Sequence, residues 1–113
     1  MPGSLRIVIT TFPNARDAAR VAKDLVTQGL AACANIVPVR SVYVWKGHLE
    51  NGREAMVFFK VSSSRVRRLK AEIGRRHPYE VPEILELGVE SANPEYLRWA
   101  EAPRRRGMVT PRE

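Results

Sequence analysis

Val42-Tyr43-Val44-Trp45-Lys46-Gly47-His48-Leu49-Glu50-Asn51-Gly52-Arg53-Glu54-Ala55-Met56-Val57-Phe58-Phe59-Lys60-Val61 reads as two strands joined by a turn, and its second strand decides the fold. Asn-Gly is the strongest two-residue hairpin signal, because both residues tolerate the positive φ of a type I′ turn. The pattern therefore places the turn at Asn51-Gly52, with a long first arm over residues 31–50 and a return strand over residues 53–61. Pro38 interrupts the first arm and cannot donate to a ladder, so a bend or bulge is expected there. Side chains alternate across a strand. Ala55, Val57, Phe59 and Val61 thus face one way, and Glu54, Met56, Phe58 and Lys60 the other. Both faces carry large apolar groups.

Outward from this hairpin the pattern is regular. Leu5, Ile7 and Ile9 alternate in a strand that Pro13-Asn14 stops. Asn14 with Asp17 three residues on is an N-cap with an acidic first turn. Ala18, Val21, Ala22, Leu25 and Val26 then form a helical stripe, with Gly29 suited to the position after its end. Beyond the hairpin, Ser62-Ser63-Ser64 offers caps for a second helix whose stripe is Val66, Leu69 and Ile73. Arg75-Arg76 ends that helix, where cations complement the dipole. A strand over residues 84–90 follows, with Leu85, Leu87 and Val89 expected inward, and Asn93-Pro94 opens a short third helix carrying Tyr96, Leu97 and Trp99.

The order β-α-β-β-α-β-α predicts an α+β, ferredoxin-like βαββαβ sandwich with a C-terminal helix. Residues 1–101 form its single domain, and residues 102–113 a basic tail expected to be disordered. Two helices cover only one face of a four-stranded sheet. Met56 and Phe58 on the second face, with Tyr43 and Trp45 on the hairpin, call for a protein interface, and sister subunits are expected to supply it.

Composition is that of an ordinary globular chain, 44% apolar and 27% charged over 113 residues. No run reaches the length of a membrane span, nothing at the N-terminus reads as a signal peptide, and Cys33 is the single cysteine, so a cytoplasmic protein without a membrane partner is expected. The net charge of +7 invites a nucleic-acid reading. However, the charge concentrates in the tail and in one helix (Arg65, Arg67, Arg68, Lys70, Arg75, Arg76). The ordinary account is a solvated helix face and a solubilising tail. An RNA-recognition domain would also need an aromatic pattern that residues 53–60 lack, so no nucleic-acid partner is expected.

Candidate chemistry is sparse. The segment His77-Pro78-Tyr79-Glu80-Val81-Pro82-Glu83-Ile84 packs an imidazole, a phenol and two carboxylates between prolines that stiffen the backbone. Cys33 and His77 together would suit copper or zinc, although no CxxC or HxxxH spacing encodes a closed structural site. Glu54 and Lys60 share one face of a strand too far apart to pair, so each needs another partner where it is buried. Tyr43, Trp45 and Trp99 are large amphipathic anchors suited to interface packing. No GxSxG, P-loop, GxGxxG or HExxH run is present, and a non-enzymatic protein without an organic cofactor is expected.

Three ordered stretches resemble the CutA family of divalent-cation tolerance proteins. Leu30-Ala31-Ala32-Cys33-Ala34-Asn35-Ile36 is similar to its LAACxNI segment. Ser41-Val42-Tyr43-Val44-Trp45-Lys46-Gly47 is similar to its S-x-Y-x-W-x-G stretch, with Glu54 and Lys60 following at family spacing. His77–Ile84 resembles its HPYxxPEI segment, and Tyr96-Leu97-Arg98-Trp99 its closing Y-L-x-W. The resemblance runs from about residue 5 to residue 100. It implies a ferredoxin-like homotrimer similar to PII-type signalling trimers, involved in the response to divalent metal ions. It further implies weak binding of copper or another divalent cation through Cys33 and His77. Some members carry a second histidine before HPY, where this chain has Arg76. Two other roles are open: a PII-like sensor of a small anionic ligand in clefts between subunits, lined by Lys60, Arg76, Tyr79 and their neighbours, or a scaffolding trimer. Intersubunit positions are expected at Tyr43, Trp45, Glu54, Lys60, Tyr79, Glu83 and Trp99.

Overall fold

The computed structural model describes residues 4–103. The reading of a disordered tail falls almost entirely outside these residues. Strand β1 (Leu5–Phe12) is followed by helix α1 (Ala15–Thr27), strands β2 (Cys33–Trp45) and β3 (His48–Ser62), helix α2 (Val66–Arg76), strand β4 (Ile84–Gly88) and helix α3 (Pro94–Glu101). The sheet runs β2-β3-β1-β4 with every neighbour antiparallel, the ferredoxin-like order. Asn14 caps α1 as expected, its side chain accepting from the Asp17 N–H at 2.8 Å, and Gly29 follows the helix with φ of 80°. The serines before α2 do not cap it. Ser62 ends β3, Ser63 and Ser64 begin the turn out of it, and Arg65 holds the cap position without a side-chain capping bond. Strand β4 is shorter than expected and ends at Gly88.

The hairpin turn lies at Lys46-Gly47, not at Asn51-Gly52. Lys46 and Gly47 both have positive φ, 51° and 81°, as a type I′ turn demands. Asn51 and Gly52 pair inside the ladder with Val42 and Ser41. A turn at Asn51-Gly52 would put Ser41 opposite the end of β3 and leave residues 33–40 without a partner strand. The observed register instead pairs every residue of β2, from Cys33 opposite Lys60 to Trp45 opposite His48. Ladder length outweighs local turn preference. Pro38 causes no bulge, since the register passes through its pairing with Ala55 unbroken. An edge strand tolerates the missing donor, and β2 is at the edge.

Helices α1 and α2 cover one face, where Val8, Phe12, Val57, Phe59, Leu25, Leu69 and Ile73 form the fully buried core. Arg76 of α2 pairs with Asp24 of α1 and with Glu72, and Lys70 joins Glu86 on β4 at 2.7 Å, so part of the basic helix is neutralised by its neighbours. The other face is different. The registers put Ile7, Ile9, Val37, Met56, Phe58, Leu85 and Leu87 on it together. Leu85 and Leu87, expected inward, are 50% and 48% exposed, because they share a face with Ile9 and Ile7 rather than with the helices. Helix α3 closes only one end of this face, packing against Leu5 and Ala32 through Ala100, Leu97, Tyr96 and Trp99. Beyond the last β1 pair, Phe12 with Ala55, strands β2 and β3 continue as a two-stranded arm. Val42, Val44 and Leu49 stand exposed on one side of it.

Candidate functional site

Pro78 forces the residue before it out of the helical region, so α2 stops at Arg76 and His77 is extended at φ −75°, ψ 135°. The His77 ring is thereby laid on Phe12, stacked at 4.5 Å with an interplanar angle of 12°. Its Nδ1 accepts the Tyr79 N–H at 3.2 Å, and its Nε2 sits 2.8 Å from the Thr11 carbonyl oxygen. Those partners select the neutral tautomer in which Nε2–H donates to Thr11. Burial pushes the His77 imidazolium pKa below its ordinary value, although the Thr11 carbonyl and the Glu54 charge pull the other way. His77 therefore staples the connector to the end of β1.

Two residues later the chain delivers Tyr79 over the base of the arm, where its hydroxyl donates to Glu54 Oε2 at 2.5 Å. Burial and the neighbouring Glu54 carboxylate raise the Tyr79 pKa well above the phenol range. Between connector and arm lies a cleft of about 510 Å³ lined by Thr11, Ser41, Val42, Tyr43, Trp45, Glu54, Tyr79, Glu80, Val81 and Glu83. Three of these are aromatic, three are carboxylates and none is a cation. Lys46 stands at the rim, its Nζ 3.5 Å from Glu80 Oε1 and 5.7 Å from the Trp45 ring centre.

Tyr43, Trp45, Glu54, Tyr79 and Glu83, five of the residues singled out from sequence, come together in this cleft. Lys60 does not; it lies opposite Cys33 and donates to Asn35. Trp99 packs within α3's own apolar cluster. Arg76, expected beside an anion, is held by Asp24 and Glu72 instead. Cys33 Sγ accepts from the Tyr96 hydroxyl at 3.7 Å and contacts Asn35 Oδ1 at 3.6 Å. Cys33 pairs across from Lys60 and Lys60 from Ile7, whereas His77 touches Thr10 and Thr11, several residues along β1. One chain thus keeps the two expected metal ligands apart. Among the described residues no group of three His, Cys, Asp or Glu side chains is placed to hold a metal ion. Ser41, Thr11 and Val42 were missed because alternation along β1 and β2 marks them only as strand residues.

A family model described as CutA1 divalent ion tolerance protein matches residues 6–103. The chain is 43% identical over 98 residues to a CutA homolog of Xenopus laevis, covering 86% of this chain and 65% of the frog protein. It is 39% identical over 93 residues to a divalent-cation tolerance protein CutA of Pyrococcus horikoshii, covering 82% of this chain and 91% of that one. The chain thus spans somewhat under two thirds of the length of the frog relative. Among solved structures it is similar to the divalent cation tolerance protein Cut A1 of Thermus thermophilus. The TM-score is 0.80 at 38% identity, over 86% of this chain and 95% of that one.

Proposed function

The chain belongs to the CutA1 divalent ion tolerance family, and from that premise we propose that it is a non-enzymatic homotrimer serving divalent-metal tolerance. The observation that carries the assembly is the open sheet face. Ile7, Ile9, Met56, Phe58, Leu85 and Leu87 form a continuous apolar surface on the side that α1 and α2 leave uncovered. An apolar patch of this kind on a folded chain marks a protein interface. The arm adds Val42, Val44 and Leu49 to what a sister subunit can bury. Sedimentation velocity at micromolar concentration tests it. A single species of three times the 12.8 kDa chain mass is expected, and a monomer would overturn the reading.

Metal contact in this reading falls to Cys33, with its remaining ligands drawn from a sister chain. His77 spends both ring nitrogens on Tyr79 and Thr11 and acts as a positioning residue. Thiolate chemistry favours copper or zinc. Titrations of copper and zinc into the wild type, Cys33→Ala and His77→Ala separate the roles. Cys33→Ala is expected to lose binding while His77→Ala keeps it; equal affinity in all three would remove Cys33 as a ligand.

A further inference from the structure

Along the chain the charge of +7 has the look of a solvated helix and a basic tail, but folding sorts it by side. Helices α1 and α2 together carry eight cations and three carboxylates, whereas the remaining described residues carry seven and eight. The basic excess therefore sits in one layer, opposite the open sheet face, and joining subunits through that face leaves it uncovered. We propose that this layer docks the phosphate backbone of double-stranded DNA without reading its sequence, chiefly through Arg16, Lys23, Arg67 and Arg68.

Ion pairing singles out those four. Every carboxylate of the two helices is already engaged, Asp17 with Arg20, Asp24 with Arg76, and Glu72 with Arg75 and Arg76. Lys70 is held by Glu86 of β4. Among the described residues no carboxylate pairs with Arg16, Lys23, Arg67 or Arg68, and all four are exposed. Arg16, Arg20 and Lys23 follow one another at helical spacing on the outward side of α1, as Arg67, Ala71 and Arg75 do on α2. The Arg76–Asp24 pair braces α2 against α1, and Lys70–Glu86 braces it against the sheet. The spare cations thus stand on a fixed surface and have no internal ion pair to give up when an anion arrives.

The chemistry of the face selects the partner. Six of its eight cations are arginines, whose planar guanidinium meets a phosphate with two parallel hydrogen bonds. Duplex DNA offers one phosphate per about 1.7 Å of its axis and releases condensed counterions when cations neutralise it. The other exposed residues of the two helices are Ala15, Ala19, Thr27, Ala71 and Gly74. They are too small to sink into a bilayer, and they provide no ring on which an unpaired base could stack, so an anionic membrane and a single strand are poorer matches. Phosphate contacts position a protein on the duplex and carry no sequence information. The sequence adds cations at one corner of the layer. Arg65 donates to the Ala102 carbonyl at 3.3 Å just before α2, and Arg104-Arg105-Arg106 follow Pro103 directly.

The test is fluorescence anisotropy of a short labelled DNA duplex titrated with the full chain, at salt from about 50 to 200 mM. Equal binding of two unrelated sequences is expected, with log affinity falling against log salt by about 0.9 per phosphate engaged. Arg67→Gln with Arg68→Gln, and separately Arg16→Gln with Lys23→Gln, should each weaken binding about tenfold and reduce the steepness of that salt dependence by about two. Arg40→Gln with Arg98→Gln removes the same charge from exposed positions outside the layer, and should shift the affinity by no more than about twofold. All six positions are exposed, so these variants keep the fold, which their melting curves verify. Absence of binding at the lowest salt, or an equal loss from the Arg40 and Arg98 pair, would overturn the proposal. So would tighter binding to phosphatidylserine vesicles or to a single strand of the same length. Binding that survives both helix pairs and vanishes when Arg104, Arg105 and Arg106 become glutamine would overturn it as well, by moving the contact to the tail. Sedimentation of the same samples keeps these results separate from the assembly question.

Discussion

Replacing Gly47 and Gly52 one at a time by alanine tests the register on which the sheet depends. Gly47 has φ of +81°, and a Cβ there meets nothing within 4 Å, so no new packing offsets the strain. An L-residue in the left-handed region costs about 1–2 kcal/mol. Gly52 lies inside the ladder opposite Ser41, and its added Cβ is also in open space. Glycine within a strand is worse than alanine by about 0.5–1 kcal/mol, mostly through the entropy of the unfolded chain. Gly47→Ala should therefore destabilise and Gly52→Ala stabilise, a separation of about 1.5–3 kcal/mol. Urea denaturation at fixed protein concentration reads this as midpoints moving in opposite directions, roughly 1 M apart at a typical slope. Because the arm extends beyond β1, it can open without global unfolding. Amide exchange at Tyr43 and Glu50, paired across the arm, provides a local reading and should quicken in Gly47→Ala. If Gly52→Ala destabilised more than Gly47→Ala, the turn would belong at Asn51-Gly52 and the whole β2–β3 pairing would be wrong.

Other consequences can be measured on the same material. Tyr79→Phe removes the donor to Glu54 and should cost about 1 kcal/mol, discounted for the exposure of the site, in a denaturation midpoint. Because the folded-state pKa of Tyr79 is raised above its ordinary 10.0, its contribution is complete below that pH and is lost as pH rises beyond it; Tyr79→Phe should flatten this alkaline slope. The His77 pKa is depressed below 6.5, so the unfolded chain takes up the proton first. Stability should be full above that pH and decline as pH falls below it, and His77→Phe, which keeps a ring on Phe12, should remove that decline in urea midpoints. Phe58→Asp puts a charge in the centre of the open face without touching the helix-covered core, and should yield a folded monomer by sedimentation and circular dichroism. A Phe58→Asp trimer would place the interface elsewhere.

Much of the site was legible in parts and illegible as a whole. The prolines of residues 77–84 announced a stiff connector, and His77 is indeed extended before Pro78. Tyr43, Trp45, Glu54, Tyr79 and Glu83 were each visible as residues of interest, but one cleft collects them from β2, β3 and the connector. Lys60 and Arg76 were grouped with Tyr79 for the density of polar residues beside a stiff backbone. Their actual partners are Asn35, Asp24 and Glu72, which no spacing along the chain reveals.

Local chemistry was sufficient wherever the deciding interactions are local. The Asn14 cap, Gly29 after α1, Pro94 opening α3 and the period of each helix follow from groups within a turn of one another, so the element order and the ferredoxin-like plan were determined by the sequence alone. Pairing across the sheet is a different kind of quantity. The turn at Lys46-Gly47 wins because the whole of β2 gains a partner, a sum over many residues that a favourable Asn-Gly dipeptide cannot outweigh. The same registers turn Leu85 and Leu87 outward beside Ile9 and Ile7. They also set Cys33 apart from His77. Which side chains share a surface, and hence what the surface can bind, depended on long-range register, and only the tertiary structure decided it.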